Sequence, residues 1–175
     1  MKEYQVVIKD VAPLLQNKIE EMETGEKKRG EGRDNPERCK EKLYMVGKVI
    51  CQPAICVESA MIKTSADLKF KGRKSYKDLF KGNVFVKPDM IKHKIQKWEV
   101  HQSTVVIPST KGRVNRYRPI FKNWELEFVI MVLDDRIETD VLKLALDEAG
   151  RTTGIGDWRP RYGRFVVTKF QEVVV

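Results

Sequence analysis

The sequence predicts an α+β fold in which an antiparallel sheet carries two helices on one face. Segments with strand-like and helix-like patterns follow one another in the order strand, helix, strands, helix, strand. One of the helical segments has an apolar face with clear boundaries. The 175 residues are enough for one domain with a substantial core, so we expect a single domain over 1–175 with loops inserted between its elements.

The first half of the chain supplies one strand, one long insertion, a short strand and one helix. Tyr4–Lys9 alternates and is rich in β-branched residues, which predicts a strand. Residues 22–42 are charged, contain glycine and proline and have few apolar side chains, so we expect a flexible insertion. A short strand over 43–50 comes next. The helix follows Pro53, and its apolar face consists of Val57, Ala60, Met61 and Leu68.

The second half of the chain supplies four further strands. Residues 83–87, 98–108 and 164–170 have strand-like composition. The segment at 124–133, TrpGluLeuGluPheValIleMetValLeu, alternates at first and then becomes apolar on both faces. Such a strand runs from the rim of a sheet into the core.

The clearest helix lies between the last two strands. Thr139 is its expected N-cap and Gly150 its expected C′ residue. The apolar face consists of Val141, Leu142, Ala145, Leu146 and Ala149. With an antiparallel sheet and both helices on one face, this order of elements is that of the ferredoxin-like or RRM-like arrangement.

The charge of the chain favours a polyanionic partner. There are 34 Lys and Arg residues against 25 Asp and Glu, a net charge of +9. Residues 1–45 hold ten of each sign, so the whole surplus lies in residues 46–175. A one-signed surplus on a folded domain attracts nucleic acid or acidic membranes, although ordinary solubility explains many basic domains.

The cysteines and the start of the chain indicate a cytoplasmic protein. Cys39, Cys51 and Cys56 are odd in number and form no CxxC pair. They therefore match neither a disulfide framework nor a zinc site, and a reducing compartment fits best. The first ten residues lack the apolar core of a signal peptide, and no apolar run is long enough to span a membrane.

The most informative segment for function is a glycine- and arginine-rich stretch at 150–165. It lies between the clearest helix and the last strand, and it combines Gly150, Gly154, Gly156 and Gly163 with Arg151, Arg159, Arg161, Arg164, Trp158 and Tyr162. Glycines allow close approach of backbone to a ligand, guanidinium groups match phosphate oxygens, and aromatic rings stack on bases. The alternative is a long helix-to-strand turn with Trp158 in the core and the arginines solvated.

Two further basic clusters are expected to extend this surface. The first lies at 111–122 and contains Lys111, Arg113, Arg116, Tyr117 and Arg118. The second contains Lys69, Lys71, Arg73, Lys74 and Lys77. If the clusters neutralise roughly six phosphates, affinity should fall about a thousandfold between 50 and 200 mM salt.

The segment GlyIleGlyAspTrpArgProArgTyrGlyArgPhe at 154–165, after a helix and before a last strand, resembles the C-terminal glycine-rich loop of the RAMP superfamily. CysGlnProAlaIleCysValGluSerAlaMetIle at 51–62 is similar to the turn before the first helix in that superfamily. These RRM-like CRISPR-associated proteins bind guide RNA, and some polymerise along it. Phage and mobile-element proteins also carry such elements. The resemblance implies contact with an RNA backbone through Gly154, Gly156, Arg159, Arg161 and Arg164, and assembly of copies along the strand.

Catalysis has little support in the sequence. Some RAMP relatives cleave RNA with a histidine, and His101 is the only candidate here, since His93 also lies outside any motif. Asp134 and Asp135 are better explained by a turn after a strand than by a metal. The glycines of 150–156 are not followed by GlyLys, which excludes a Walker loop.

We therefore expect a protein that binds RNA or single-stranded DNA with little sequence preference and without a cofactor or metal. Two alternatives remain open. One is a metal-independent endoribonuclease of RAMP type that depends on His101. The other is a phage structural or interaction protein that binds an acidic partner.

Overall fold

The computed structural model describes residues 1–19 and 34–173. The strands are β1 (Lys2–Asp10), β2 (Leu14–Leu15), β3 (Met45–Val46), β4 (Val49–Pro53), β5 (Lys69–Lys71), β6 (Lys74–Ser75), β7 (Val84–Lys87), β8 (Met90–Lys92), β9 (Glu99–Val106), β10 (Arg113–Phe121), β11 (Glu125–Val132) and β12 (Phe165–Val173). The helices are α1 (Ala54–Ser65), α2 (Lys77–Asn83) and α3 (Thr139–Glu148), with a 3-10 helix at Pro36–Lys42 and a π-helix at Ala149–Thr153.

The central sheet has four antiparallel strands in the order β12-β1-β11-β7. With α1 and α3 these strands form a βαββαβ unit, and its fourth, first, third and second strands lie side by side. Tyr4, Val6 and Ile8 of β1 are buried towards the helices. The Thr64 hydroxyl of α1 donates to the Ala145 carbonyl of α3 at 2.8 Å, which ties the two helices together on one face. The predicted α+β architecture is confirmed.

Some local predictions differ from the structure. The expected strand over 43–50 is two short strands, β3 and β4, around a turn at Gly47 with φ 60°. The sequence analysis did not predict α2 or the β5–β6 hairpin. Of the expected flexible insertion, residues 36–42 form the 3-10 helix, in which Cys39 is buried, while residues 22–33 lie outside the described part of the chain.

Both predicted boundaries of the clearest helix were wrong. Glu138 is the N-cap of α3, and the Thr139 hydroxyl instead shares a hydrogen bond of 2.9 Å with the Tyr4 hydroxyl. At the other end α3 continues into the π-helix through Gly150, and Gly154 at φ 71° terminates it. Gly150 is required for packing, because a Cβ there would lie 2.3 Å from the Phe165 carbonyl oxygen.

A second sheet, with strand order β2-β10-β9, stands beside the first. Most of it is the long β9–β10 hairpin, while β2 pairs only with the inner end of β10, at Ile120 and Phe121. Along the outer part of the hairpin, β2 therefore does not pair with the edge of β10. Among residues 1–19 and 34–173, no helix has the length and apolar character needed to cross a bilayer.

Candidate nucleic-acid interface

The segment at 154–164, hereafter the glycine loop, connects the π-helix to β12. Gly154, Gly156 and Gly163 have φ values of 71°, 81° and 77°. These lie in the left-handed region that glycine adopts without strain. A Cβ on Gly163 would lie 1.7 Å from the Ile155 carbonyl oxygen, and one on Gly156 would lie 2.5 Å from the Leu15 carbonyl oxygen. The glycines therefore let the loop close on itself and on β2.

Backbone hydrogen bonds fix this loop to β2 and to the residue just before it. Asp157 N–H donates to the Leu15 carbonyl and Gly163 N–H to the Pro13 carbonyl, both at 2.8 Å. Gly154 is buried. Protein atoms therefore fill the space on the Cβ side of Gly154 and Gly156, and the expectation that these two glycines approach a ligand stays a prediction.

The glycine loop lies against one face of the β9–β10 hairpin. In the register of this hairpin His101 is opposite Arg118 and Ser103 is opposite Arg116. Alternation of side chains along a strand puts these four residues on the same face.

Of the three other predicted residues, Arg113 and Tyr117 fall on the opposite face by the same alternation, and Lys111 lies in the turn between β9 and β10. Tyr117 is also half-buried. The prediction that all of them line one surface beside the glycine loop is therefore only half right.

Three rings meet where the loop contacts the hairpin. The Tyr162 hydroxyl hydrogen bonds to His101 Nε2 at 3.1 Å, and the two ring centroids are 5.4 Å apart. The Trp158 ring centroid lies 5.6 Å from that of Tyr162 and 6.5 Å from that of His101. Trp158 nevertheless keeps 42% of its surface exposed. It is thus not a core residue, and it offers a supported ring at the surface.

Beneath these rings an ion pair joins Arg118 of β10 to Asp157 of the loop. The two side chains are only 16% and 31% exposed. Arg118 also donates through Nη1 to the Ser103 hydroxyl at 3.2 Å, and its guanidinium lies 5.8 Å from the Trp158 ring centroid. Arg118 was expected to hold phosphate, but its charge is already neutralised, and it positions the loop instead.

This cluster shifts the ionisation of two neighbouring side chains. Burial lowers the pKa of His101, and the positive charge of Arg118 lowers it further. Burial raises the pKa of the Tyr44 phenol, and the negative charges of Cys56 and Asp157 add to this. His101 is therefore uncharged at neutral pH and contributes a ring rather than a cation.

The other predicted arginines of the loop region differ in their availability. Arg151 pairs with Glu148 at 2.7 Å, and Arg164 is half-buried at the start of β12. Arg159 and Arg161 are exposed on either side of Pro160 and make no ion pair with any described residue. These two, with exposed Arg116 on the facing strand, are the cations best placed beside Trp158.

A second ion pair holds the outer edge of β10. The Asp34 carboxylate accepts from Lys42 Nζ at 2.7 Å and from the Tyr117 N–H at 2.9 Å, while Lys42 also donates to the Tyr117 carbonyl. Burial alone would raise the pKa of Asp34, but these bonds and the charges of Lys42 and Arg116 hold it below its usual value. The hairpin strand that carries Arg116 is thereby tied to the 3-10 helix.

The third predicted cluster, with Lys71, Arg73 and Lys74, does not join this surface. These residues form the β5–β6 hairpin. The position of the hairpin follows from Phe70, whose ring centroid lies 6.0 Å from the guanidinium of Arg136, a residue just before the start of α3. The glycine loop comes after the opposite end of α3. The two regions are thus at opposite ends of the central sheet, separated by roughly 25 Å, the length of an eight-residue strand such as β11.

The outer face of the central sheet has few features suited to stacking bases. RRM domains stack bases on aromatic residues of this face. Among the described residues that point outward from the four strands, Phe85 is the only aromatic one. Glu125 on this face is paired with Lys9 and Lys94, and Glu127 accepts from Gln5. The exposed ring of Trp158 lies instead on the glycine loop, together with Arg159 and Arg161, which make no ion pair with a described residue.

The remaining candidates for chemistry are engaged in structural contacts. Asp134 is bound by Arg136 through two hydrogen-bonding nitrogens, as expected for a turn. His93 is fully buried, with its ring 4.6 Å from that of Phe121. Among residues 1–19 and 34–173, no group of three acidic, histidine or cysteine side chains could hold a metal ion.

Sequence analysis missed Asp157 and Ser103, which both bind Arg118 where the loop meets the β9–β10 hairpin. Asp157 stands inside the glycine- and arginine-rich segment, and only its charge, opposite to that of its neighbours, could have marked it. Ser103 carries no local signal, because its role depends on pairing with a distant segment.

No protein-family model and no curated protein matches this sequence. Solved structures do match. A chain from the cryo-EM structure of the type III-B Cmr-beta bound to cognate target RNA has a TM-score of 0.58 and 13% identity, over 98% of this chain and 60% of that one. A CRISPR protein from Archaeoglobus fulgidus has a TM-score of 0.44 and 11% identity, over 99% of this chain and 65% of that one.

The shared property is the fold. The likeness to the Cmr-beta chain confirms the RRM-like, RAMP-like α+β arrangement that was predicted from the order of elements. This chain spans about 60% of the length of the Cmr-beta chain.

Proposed function

We propose that this chain is a RAMP-type protein that binds single-stranded nucleic acid, RNA in the first place, at the glycine loop and the facing side of the β9–β10 hairpin. The observation that carries the proposal is the exposed Trp158 ring, supported from below and followed in the loop by exposed Arg159 and Arg161, which make no ion pair with a described residue. A stacking ring between guanidinium groups is the arrangement by which proteins hold single strands without reading their sequence.

The contacts of each side chain indicate its role in the site. Arg159 and Arg161 hold phosphates, because they are exposed and make no ion pair with a described residue. Arg116 is also exposed and adds a third cation, although its charge acts on Asp34 as well. Trp158 stacks on a base. Arg118 and Asp157 keep the loop and the hairpin together, so they act on binding through the position of Trp158 rather than by contact.

The fold supports RNA as the partner to test first, since the Cmr-beta structure with the similar chain contains target RNA. Single-stranded DNA remains the comparison, because a phosphate and a stacking contact do not distinguish the two sugars. The stoichiometry on a long strand tests whether several copies assemble along it.

Binding fits this site better than cleavage. A general base needs a ring nitrogen within reach of the substrate. His101 Nε2 is occupied by the Tyr162 hydroxyl, and Nδ1 is buried. Incubation of RNA with wild-type protein and with His101→Ala in the presence of a chelator tests this; cleavage by wild type alone would establish the nuclease instead.

The experiment for binding is a gel-shift series with single-stranded RNA, single-stranded DNA and duplex at 50 and 200 mM salt. Arg159→Ala/Arg161→Ala should weaken RNA binding at least tenfold at low salt and reduce the salt slope by about 1.4, which corresponds to about 0.7 for each lost phosphate contact. The control variant is Lys48→Ala/Lys92→Ala, which removes two exposed charges that belong neither to the glycine loop nor to the β9–β10 hairpin. Equal affinities of the two variants would overturn the proposed site.

A further inference from the structure

The β5–β6 hairpin and α2 form a second basic surface, remote from the glycine loop. It consists of Lys69, Lys71, Arg73, Lys74, Lys77 and Lys81. All six side chains are exposed, and none makes an ion pair with a described residue. Between positions 69 and 81 the only acidic residue is Asp78. Six like charges on so short a segment repel one another, so a bound polyanion would stabilise this surface.

The basic side chains are carried on a well-anchored hairpin. The Phe70 ring packs on the Tyr76 ring at 5.1 Å between centroids, and Tyr76 packs on Phe80 at 6.2 Å. The Tyr76 N–H also donates to the Leu68 carbonyl at 3.0 Å. Tyr76 and Phe80 are buried. The cations are therefore held together as a group.

The chemistry of this surface indicates the kind of contact it makes. Of its three rings, Tyr76 and Phe80 are buried and Phe70 is half-buried against Tyr76, so none is exposed for stacking as Trp158 is. Five of its six cations are lysines, which act as point charges on flexible stems and do not form the rigid fork of arginine. Such a surface suits the phosphate backbone of nucleic acid rather than its bases.

We infer that the second basic surface binds the phosphates of a stretch of nucleic acid separate from the stretch held at the glycine loop. This inference rests on the proposed function. A strand of about 4 nucleotides has about three internucleotide phosphates, which span about 14 Å even when the strand extends to about twice the 3.4 Å rise of stacked nucleotides. It therefore cannot reach both surfaces, which lie roughly 25 Å apart. A strand of about 30 nucleotides can.

The test compares two variants on two lengths of single-stranded RNA, about 4 and about 30 nucleotides. Binding is followed by tryptophan fluorescence and by gel shift. Lys71→Ala/Arg73→Ala/Lys74→Ala should bind the short strand like wild type. For the long strand it should lose at least tenfold in affinity at 50 mM salt, and its salt slope should fall by about 2. The matched control is Lys40→Ala/Lys48→Ala/Lys92→Ala, which removes the same charge elsewhere on the surface.

Each outcome separates this inference from the proposed function. If Lys71→Ala/Arg73→Ala/Lys74→Ala and the control variant bind the long strand equally, the second basic surface does not hold nucleic acid. Binding at the glycine loop is not affected by that outcome. If Arg159→Ala/Arg161→Ala leaves binding of the short strand unchanged, the proposed site at the loop fails instead. If Lys71→Ala/Arg73→Ala/Lys74→Ala loses the same affinity for the short and the long RNA strand, the two surfaces are not separate and the inference is wrong.

Discussion

Arg118 and Asp157 form an ion pair across the contact between the β9–β10 hairpin and the glycine loop, and both side chains are largely shielded from water. The pair fixes the surface on which Trp158 rests. Because a partly buried guanidinium left without its carboxylate is costly, the pair should be important for the order of the loop.

Asp157→Asn should lower the free energy of unfolding by about 1–2 kcal/mol, because Arg118 loses its charged partner in a half-buried position. Denaturant titration followed by tryptophan fluorescence measures this change. Asp147→Asn is the control, since its pair with Lys143 is exposed, and it should change stability by less than about 0.5 kcal/mol. Similar losses in both variants would contradict a special role for Asp157.

Gly163→Ala should disrupt the glycine loop. The added Cβ would overlap the Ile155 carbonyl oxygen in a left-handed conformation, and we expect a loss of more than about 3 kcal/mol. Gly72→Ala is a close comparison, because φ is +59° and nothing lies within 4 Å of the added carbon. It should cost only about 1 kcal/mol, the penalty of the conformation alone. Thermal melts of both variants give the comparison, and equal shifts would show that the close approach at Gly163 is relieved at little cost.

Trp158→Ala should weaken binding of single-stranded RNA by about 5- to 100-fold, which corresponds to one lost stacking contact. The slope of affinity against salt should stay the same, because no charge is removed. Trp158→Phe retains a ring and should recover most of the affinity. Fluorescence titrations at three salt concentrations provide the data. A reduced slope in Trp158→Ala would mean that the arginines had moved as well, which is not what the stacking role requires.

The stability of the protein should fall as the pH is lowered from about 6.5 to 4. Burial lowers the pKa of His93 to about 4, whereas the unfolded chain takes up this proton near its ordinary value of 6.5. The unfolded state thus binds more protons in this range, and the loss amounts to about 3 kcal/mol. Denaturant titrations at several pH values, with His93→Gln for comparison, measure the contribution of this side chain. Direct NMR titration of the His93 ring gives an independent answer, and a pKa near 6.5 would refute the prediction.

Sequence patterns predicted the framework of the fold because its signals are local. The alternation of β1 and the apolar face of α1 each depend on residues close together in the chain, and both elements were found where expected. The end of α3 was misplaced because Gly150 serves close packing against Phe165, a contact that joins two separate elements.

The candidate site was predicted only in part for the same reason. Trp158, Arg159 and Arg161 stand in one segment whose composition indicates nucleic-acid binding, and all three are exposed. The pairing of Arg118 with Asp157 could not be read from the sequence, since the two residues come from different elements. Nor could the sequence show that the β5–β6 hairpin lies at the far end of the sheet.

The hydrogen bonds from the glycine loop to Leu15 and Pro13 join segments that stand near opposite ends of the chain. Contacts of this kind carry a large entropic cost of loop closure, because a long stretch of chain lies between the two segments. The platform for Trp158 exists only while both segments are in place. On the proposed function, a chain in which either segment detaches would therefore lose the binding site together with this part of the fold.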